Sequence, residues 1–68
     1  MEFIWNDDFS ISVRMEDDAV VISANKAGLL SLARHLETLA NEGGHFHLDQ
    51  YNSLEEGSLE LIVDNIEE

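Results

Sequence analysis

No cysteine occurs in the 68 residues of this chain, so neither a disulfide nor a thiolate metal site can staple its fold. Stability has to come from one small core, at a size where burial only marginally offsets chain entropy. Basic residues are nearly as scarce. Arg14, Lys26 and Arg34 stand against 15 carboxylates, for a formal net charge of −12. Three scattered cations do not supply the footprint that phosphate binding requires, which argues against nucleic acid and anionic lipid as direct partners. Long apolar runs are also missing. Nothing approaches the roughly 20 residues needed to span a bilayer, and Met1-Glu2-Phe3-Ile4-Trp5-Asn6-Asp7-Asp8 has neither the basic start nor the apolar stretch of a secretory signal. The expectation is a soluble, cytoplasmic protein folded as one domain over residues 1–68. No nucleophile motif and no phosphate-cradling loop appears, and the histidines lack the companions that acid–base catalysis needs. No enzyme activity and no cofactor are expected.

What is present is a clear alternation of patterns. Phe3-Ile4-Trp5 reads as an optional short strand followed by a turn at Asn6-Asp7-Asp8. Phe9, Ile11, Val13 and Met15 then alternate with Ser10, Ser12, Arg14 and Glu16, the period of a strand with one buried face. Asp17-Asp18 suits a tight connection to the apolar run from Ala19 to Ser23. Pairing Glu16 with Ala19 sets Met15 opposite Val20 and Val13 opposite Ile22, all on the core side.

Asn25 is the expected N-cap of one helix, and Gly43-Gly44 its stop. Leu29, Leu32, Ala33, Leu36 and Ala40 form an apolar stripe at helical spacing. Lys26, Arg34, His35, Thr38 and Asn41 are expected on the opposite, solvent side. Gly28 costs about 1 kcal/mol relative to alanine in a helix interior, less near the first turn, and can permit the close approach of another element. After the helix, His45 to Tyr51 and Ser58 to Asp64 read as a second hairpin. A register symmetric about Ser53-Leu54 places Phe46 beside Leu61 and Leu48 beside Leu59, with His47 opposite Glu60 and His45 opposite Ile62 outside.

The expected fold is therefore α+β: one helix packed on an antiparallel sheet of four or five strands, in the order (β)ββαββ. Leu29, Leu32, Ala33 and Leu36 should face Ile11, Val13, Val20, Ile22, Phe46, Leu61 and Val63.

Residues 43–68 hold seven of the 15 carboxylates and neither lysine nor arginine. Asp49, Glu55, Glu56, Glu60 and Asp64 surround Tyr51 and Leu54, the composition that a partner rich in lysine and arginine would meet at a specific interface. His45, His47 and Asp49 at alternate positions can in principle share a divalent metal, with Glu60 completing the shell. A histidine paired with a carboxylate, such as His47 with Glu60, is the simpler arrangement, and no metal is expected to bind tightly.

The run Ile22-Ser23-Ala24-Asn25-Lys26-Ala27-Gly28-Leu29-Leu30-Ser31-Leu32-Ala33 precedes His45-x-His47-Leu48-Asp49, and then Leu54-Glu55-Glu56-Gly57-Ser58-Leu59-Glu60-Leu61-Ile62. These three motifs, in this order across residues 20–63, resemble the immunity protein 32 family of bacterial polymorphic toxin systems. The resemblance implies a small α+β protein that binds and neutralises a cognate toxin by obstruction. It transfers no residue roles. From residue chemistry, the partner-binding candidates are His45, His47, Asp49, Tyr51, Glu55, Glu56 and Glu60, facing a toxin domain with a basic surface. The rivals are a metal-binding protein using His45, His47 and Asp49, and a homodimeric module joined through an open sheet edge or through Val21 and Ile62. Either a monomer or a weak homodimer is expected.

Overall fold

A computed structural model describes residues 3–67, so Met1, Glu2 and Glu68 lie outside the described residues. The element order is β1 (Ile11–Glu16), β2 (Ala19–Ala24), α1 (Lys26–Glu42), β3 (His45–Leu48) and β4 (Leu61–Asp64). No strand forms at Phe3-Ile4-Trp5, whereas the turn after it does, with the Phe9 N–H donating to the Asn6 carbonyl at 3.3 Å. No helix among the described residues is long and apolar enough to cross a membrane.

The first hairpin has the expected register: Glu16 pairs with Ala19, Met15 with Val20, Val13 with Ile22 and Ile11 with Ala24. Asp17 makes the two-residue turn by adopting a positive φ of 55°, which a short Asp side chain tolerates better than a branched one. The helix ends are also as expected. The Asn25 Oδ1 accepts the Gly28 N–H at 2.8 Å, and the Gly43 N–H, at φ 79°, closes on the Leu39 carbonyl at 2.9 Å.

The expected single sheet of four or five strands does not form. Two separate two-stranded antiparallel sheets, β1 with β2 and β3 with β4, take its place, and the architecture remains α+β. The reason lies in the stretch that would have joined them. Residues 55–59 run beside β1, with the Glu55 N–H on the Ile11 carbonyl and the Leu59 N–H on the Val13 carbonyl, both at 2.9 Å. A turn between those two bonds, Ser58 N–H to the Glu55 carbonyl with Gly57 at φ 86°, interrupts the ladder before it can extend. The β3–β4 register also differs by two residues from the symmetric expectation: Phe46 lies opposite Val63, Leu48 opposite Leu61, His47 opposite Ile62 and His45 opposite Asp64. An even shift keeps every side chain on its expected face.

The core consists of Ile11, Val13, Leu32, Leu39, Phe46, Leu48 and Leu54, with Phe3, Trp5, Phe9, Ala24, Leu61 and Val63 packed around it. The helix is rotated from its expected position. It buries Gly28, Ser31, Leu32, His35 and Leu39, while Leu29, Leu36, Ala33 and Ala40 are exposed. Leu36 instead lines an open groove with Ala40, Val63 and Ile66. At the far end of the first hairpin Met15, Val20 and Ile22 point to the core side yet stay exposed.

An aromatic arm explains the rotation. Trp5 stacks on Phe9 at 4.5 Å between ring centroids, and His35 meets the edges of Phe3 and Trp5 at 4.9 and 4.5 Å. The arm's backbone needs partners once buried, and the helix supplies them. Ser31 Oγ accepts the Asn6 N–H at 2.8 Å, and His35 Nε2 lies 3.0 Å from the Ile4 nitrogen. His35, expected on the surface, is thus 2 % exposed.

Candidate functional site

The connection between β3 and β4 occupies residues 49–60, twice the expected length, and its shape follows from Asp49. The Asp49 carbonyl accepts N–H bonds from Asn52, Ser53 and Leu54 at 3.3, 3.1 and 2.8 Å. Its carboxylate accepts the Tyr51 N–H at 2.9 Å, while Asn52 Oδ1 accepts the Asp49 N–H at 3.0 Å. This is a side-chain-built turn of the kind Asx residues favour. Further along, Gln50 Oε1 takes the Gly57 N–H at 2.9 Å, and Ser58 Oγ takes the Val13 N–H at 3.2 Å. Leu54 inserts between these anchors and is 4 % exposed. Backbone bonds to β1 and one buried leucine therefore hold the loop at both ends.

Tyr51 projects from this pinned loop and is 89 % exposed. Glu55, Glu56 and Glu60 are exposed as well. The outer face of β3 and β4 adds His45 and His47, whose rings meet edge to face at 5.0 Å, beside Ile62 and Asp64. His47 Nδ1 and Glu60 Oε2 are 3.1 Å apart, so the expected histidine–carboxylate contact forms as a diagonal pair despite the shifted register. It is half exposed and contributes little to stability.

Strand β3 ends at Leu48, so Asp49 is not the third residue of a strand face with His45 and His47; its carboxylate is used inside the turn. Among the described residues no group of three or more His, Asp or Glu side chains is placed to hold a metal ion. Asp64, already part of the acidic cluster, shares the histidine face with Ile62, which was not among the partner-binding candidates. The alternation of Glu60, Ile62 and Asp64 with Leu59, Leu61 and Val63 was the signal that could have found it.

His35 is a titratable group whose protonation burial affects. Loss of hydration lowers its pKa below the ordinary 6.5; the Ile4 backbone contact opposes this, and the neighbouring Arg34 charge adds to it. The ring nitrogen Nε2 lies within 3.0 Å of the Ile4 nitrogen and 3.1 Å of its carbonyl oxygen, so either neutral tautomer finds one partner there. Nδ1 is buried with none. A protonated ring would therefore hold an unpaired N–H in the core. As pH falls, the unfolded chain takes up this proton first. The stability is complete above about 6.5 and declines below it until His35 also protonates in the folded protein. Urea midpoints measured from about pH 8 to about pH 5 should fall more steeply in the wild type than in His35→Gln. Equal slopes would show that His35 does not titrate against a buried environment.

The model of one family, described as Immunity protein 32, matches residues 19–66, well over half of the sequence. Neither the curated proteins nor the solved structures give a match.

Proposed function

Because the chain belongs to the immunity protein 32 family, we propose that residues 1–68 act as one immunity-type domain that binds a cognate toxin and neutralises it by obstruction. The observation that carries the proposed site is Tyr51: an aromatic side chain 89 % exposed on a loop pinned by Asp49 and Leu54. Large exposed aromatics on rigid backbone lose little entropy when they are covered, which makes them effective anchors. Around this anchor lie Glu55, Glu56 and Glu60, with His45 and His47 on the adjoining strand face. Asp49 acts through the loop, by holding Tyr51 in position. No Lys or Arg occurs in residues 43–68, so the surface presents one sign of charge and favours a basic toxin face. The activity needs no cofactor and no catalysis, and it is exercised in the cytoplasm of the producing cell.

Mixing kinetics with the cognate toxin test this reading. Reversing Glu55, Glu56 and Glu60 to lysine should slow association and weaken its dependence on salt, because steering acts over a screening length of about 8 Å at physiological ionic strength. Tyr51→Ala should act on the other rate. It should speed dissociation by roughly 5- to 150-fold, as loss of an interface anchor of 1–3 kcal/mol does. Growth protection should weaken in parallel. Unchanged kinetics and full protection in all these variants would remove the binding site from this hairpin.

A further inference from the structure

Strand β2 is the outer strand of its sheet, and nothing in its sequence guards that edge. Natural edges are blunted by charged side chains, proline or bulges; Ala19-Val20-Val21-Ile22-Ser23-Ala24 contains no charge and no proline. The backbone direction follows from the neighbouring bonds. The Ile11 and Val13 carbonyls and the Val13 N–H point away from β2, toward residues 55–59. Residues directly opposite in an antiparallel pair alternate between bonded and non-bonded pairs. Ile11 with Ala24, Val13 with Ile22 and Met15 with Val20 are therefore the non-bonded pairs. It follows that Val20, Ile22 and Ala24 aim their N–H and C=O groups at the free edge, where no described residue accepts or donates to them. Two of these residues also expose apolar side chains, Val20 at 61 % and Ile22 at 42 %.

We propose that a second copy of this chain covers this edge, pairing β2 antiparallel with β2 about a two-fold axis at Ile22 to form a four-stranded β1-β2-β2-β1 sheet. Bonded pairs have to join edge-facing residues. Centring on Ile22 does so for all three, pairing Ile22 with itself and Val20 with Ala24 twice. Centring on Val21 would set Ala24 against the turn residue Asp18. The Ile22 register also brings Asp18 of each copy level with Lys26 of the other. Lys26, the first residue of α1 and two positions beyond the end of β2, has no carboxylate within salt-bridge distance among the described residues. The strand is thus complementary to itself in backbone and in the charge near its two ends, as an isologous contact requires. The net charge of −12 on each copy works against association and, being screened, makes the dimer tighter as salt rises. Only a weak dimer fits so small an interface.

Sedimentation of the full chain without any toxin tests this independently of the toxin-binding reading. From about 10 µM to about 1 mM, a monomer–dimer equilibrium with Kd on the order of 100 µM is expected, tightening at high salt. Val20→Pro removes an edge-facing N–H and leaves the β1 ladder intact, because Ala19, Val21 and Ser23 carry those bonds. It should abolish the dimer while circular dichroism and the melting curve stay close to wild type. Asp18→Lys and Lys26→Asp should each weaken the dimer about two- to fivefold, and the double variant should restore it. A chain that remains monomeric at the highest concentration and salt overturns the proposal, as does a dimer that survives Val20→Pro. A double charge variant no better than either single one overturns the register. Protection of the Val20, Ile22 and Ala24 amides that appears only when toxin is added would give the edge to the toxin instead of a second copy.

Discussion

Gly28→Ala is expected to destabilise the protein by about 1–3 kcal/mol, the opposite of what helix propensity alone would give. Propensity favours alanine over glycine by about 1 kcal/mol in a helix interior and by less at the third helical position, where Gly28 sits. Sterics outweigh that. A β-carbon at residue 28 would lie 2.4 Å from the Ser10 carbonyl oxygen, 2.9 Å from Ile11 Cγ1 and 3.2 Å from Ala24 Cβ. The nearest of these is backbone, and it is held in place by the Asn25 N–H at 3.1 Å. Relief would require the helix to lift from β1 and β2 or the Asn25 cap to shift, because the Gly28 N–H is itself the cap's partner at 2.8 Å. A thermal melt reads the outcome directly, with about 4–8 °C expected for each kcal/mol in a domain of this size. A melting temperature at or above the wild-type value would mean that helix and hairpin can separate without cost.

Gly28 also shows what kind of information the sequence carries. Close approach at Gly28 was one of two readings open from the sequence, the other being a reduced helix penalty near the first turn, whereas the cap at Asn25, the stop at Gly43 and the Asp17-Asp18 hairpin were legible because each is decided within a few residues. The rotation of α1 was not. Leu29, Leu36, Ala33 and Ala40 outnumber the apolar side chains on the true inner face, which includes Ser31 and His35. Those two are buried because the Asn6 and Ile4 backbone, many residues away, provides their hydrogen bonds. No local pattern encodes such a pairing. The single sheet failed as an expectation for a related reason. Residues 55–59 do lie beside β1, but their backbone turns between the two bonds that hold them. Candidate residues Tyr51, Glu55, Glu56 and Glu60 were identified from composition alone; that Asp49 organises their loop became visible only in its bonds.

Leu54→Ala should produce the largest joint effect on stability and binding. Leu54 is 4 % exposed and belongs to a core of few members. Truncating a buried leucine costs about 2–5 kcal/mol, depending on how far the site can collapse. So small a domain has little stability beyond that. The loss should also be uneven across the molecule. Leu54 sits between the Asp49 turn and the Glu55 bond to Ile11, so its removal frees the loop before it frees the helix. In hydrogen exchange, the Glu55 and Leu59 amides should lose more protection than the Leu29 and Gly43 amides at the helix ends. A mobile loop must then be ordered on binding, so toxin affinity should fall although Tyr51 and every carboxylate are still present. Leu54→Met, which conserves volume, should recover most of both properties. Comparison with Tyr51→Ala separates the two contributions. Tyr51→Ala should impair binding while leaving the urea midpoint and amide protection unchanged, whereas Leu54→Ala should impair all three. Wild-type exchange at Glu55 and Leu59 in Leu54→Ala would show that hydrogen bonds alone hold the loop, and Tyr51 would then owe its position to Asp49 without the leucine beneath it.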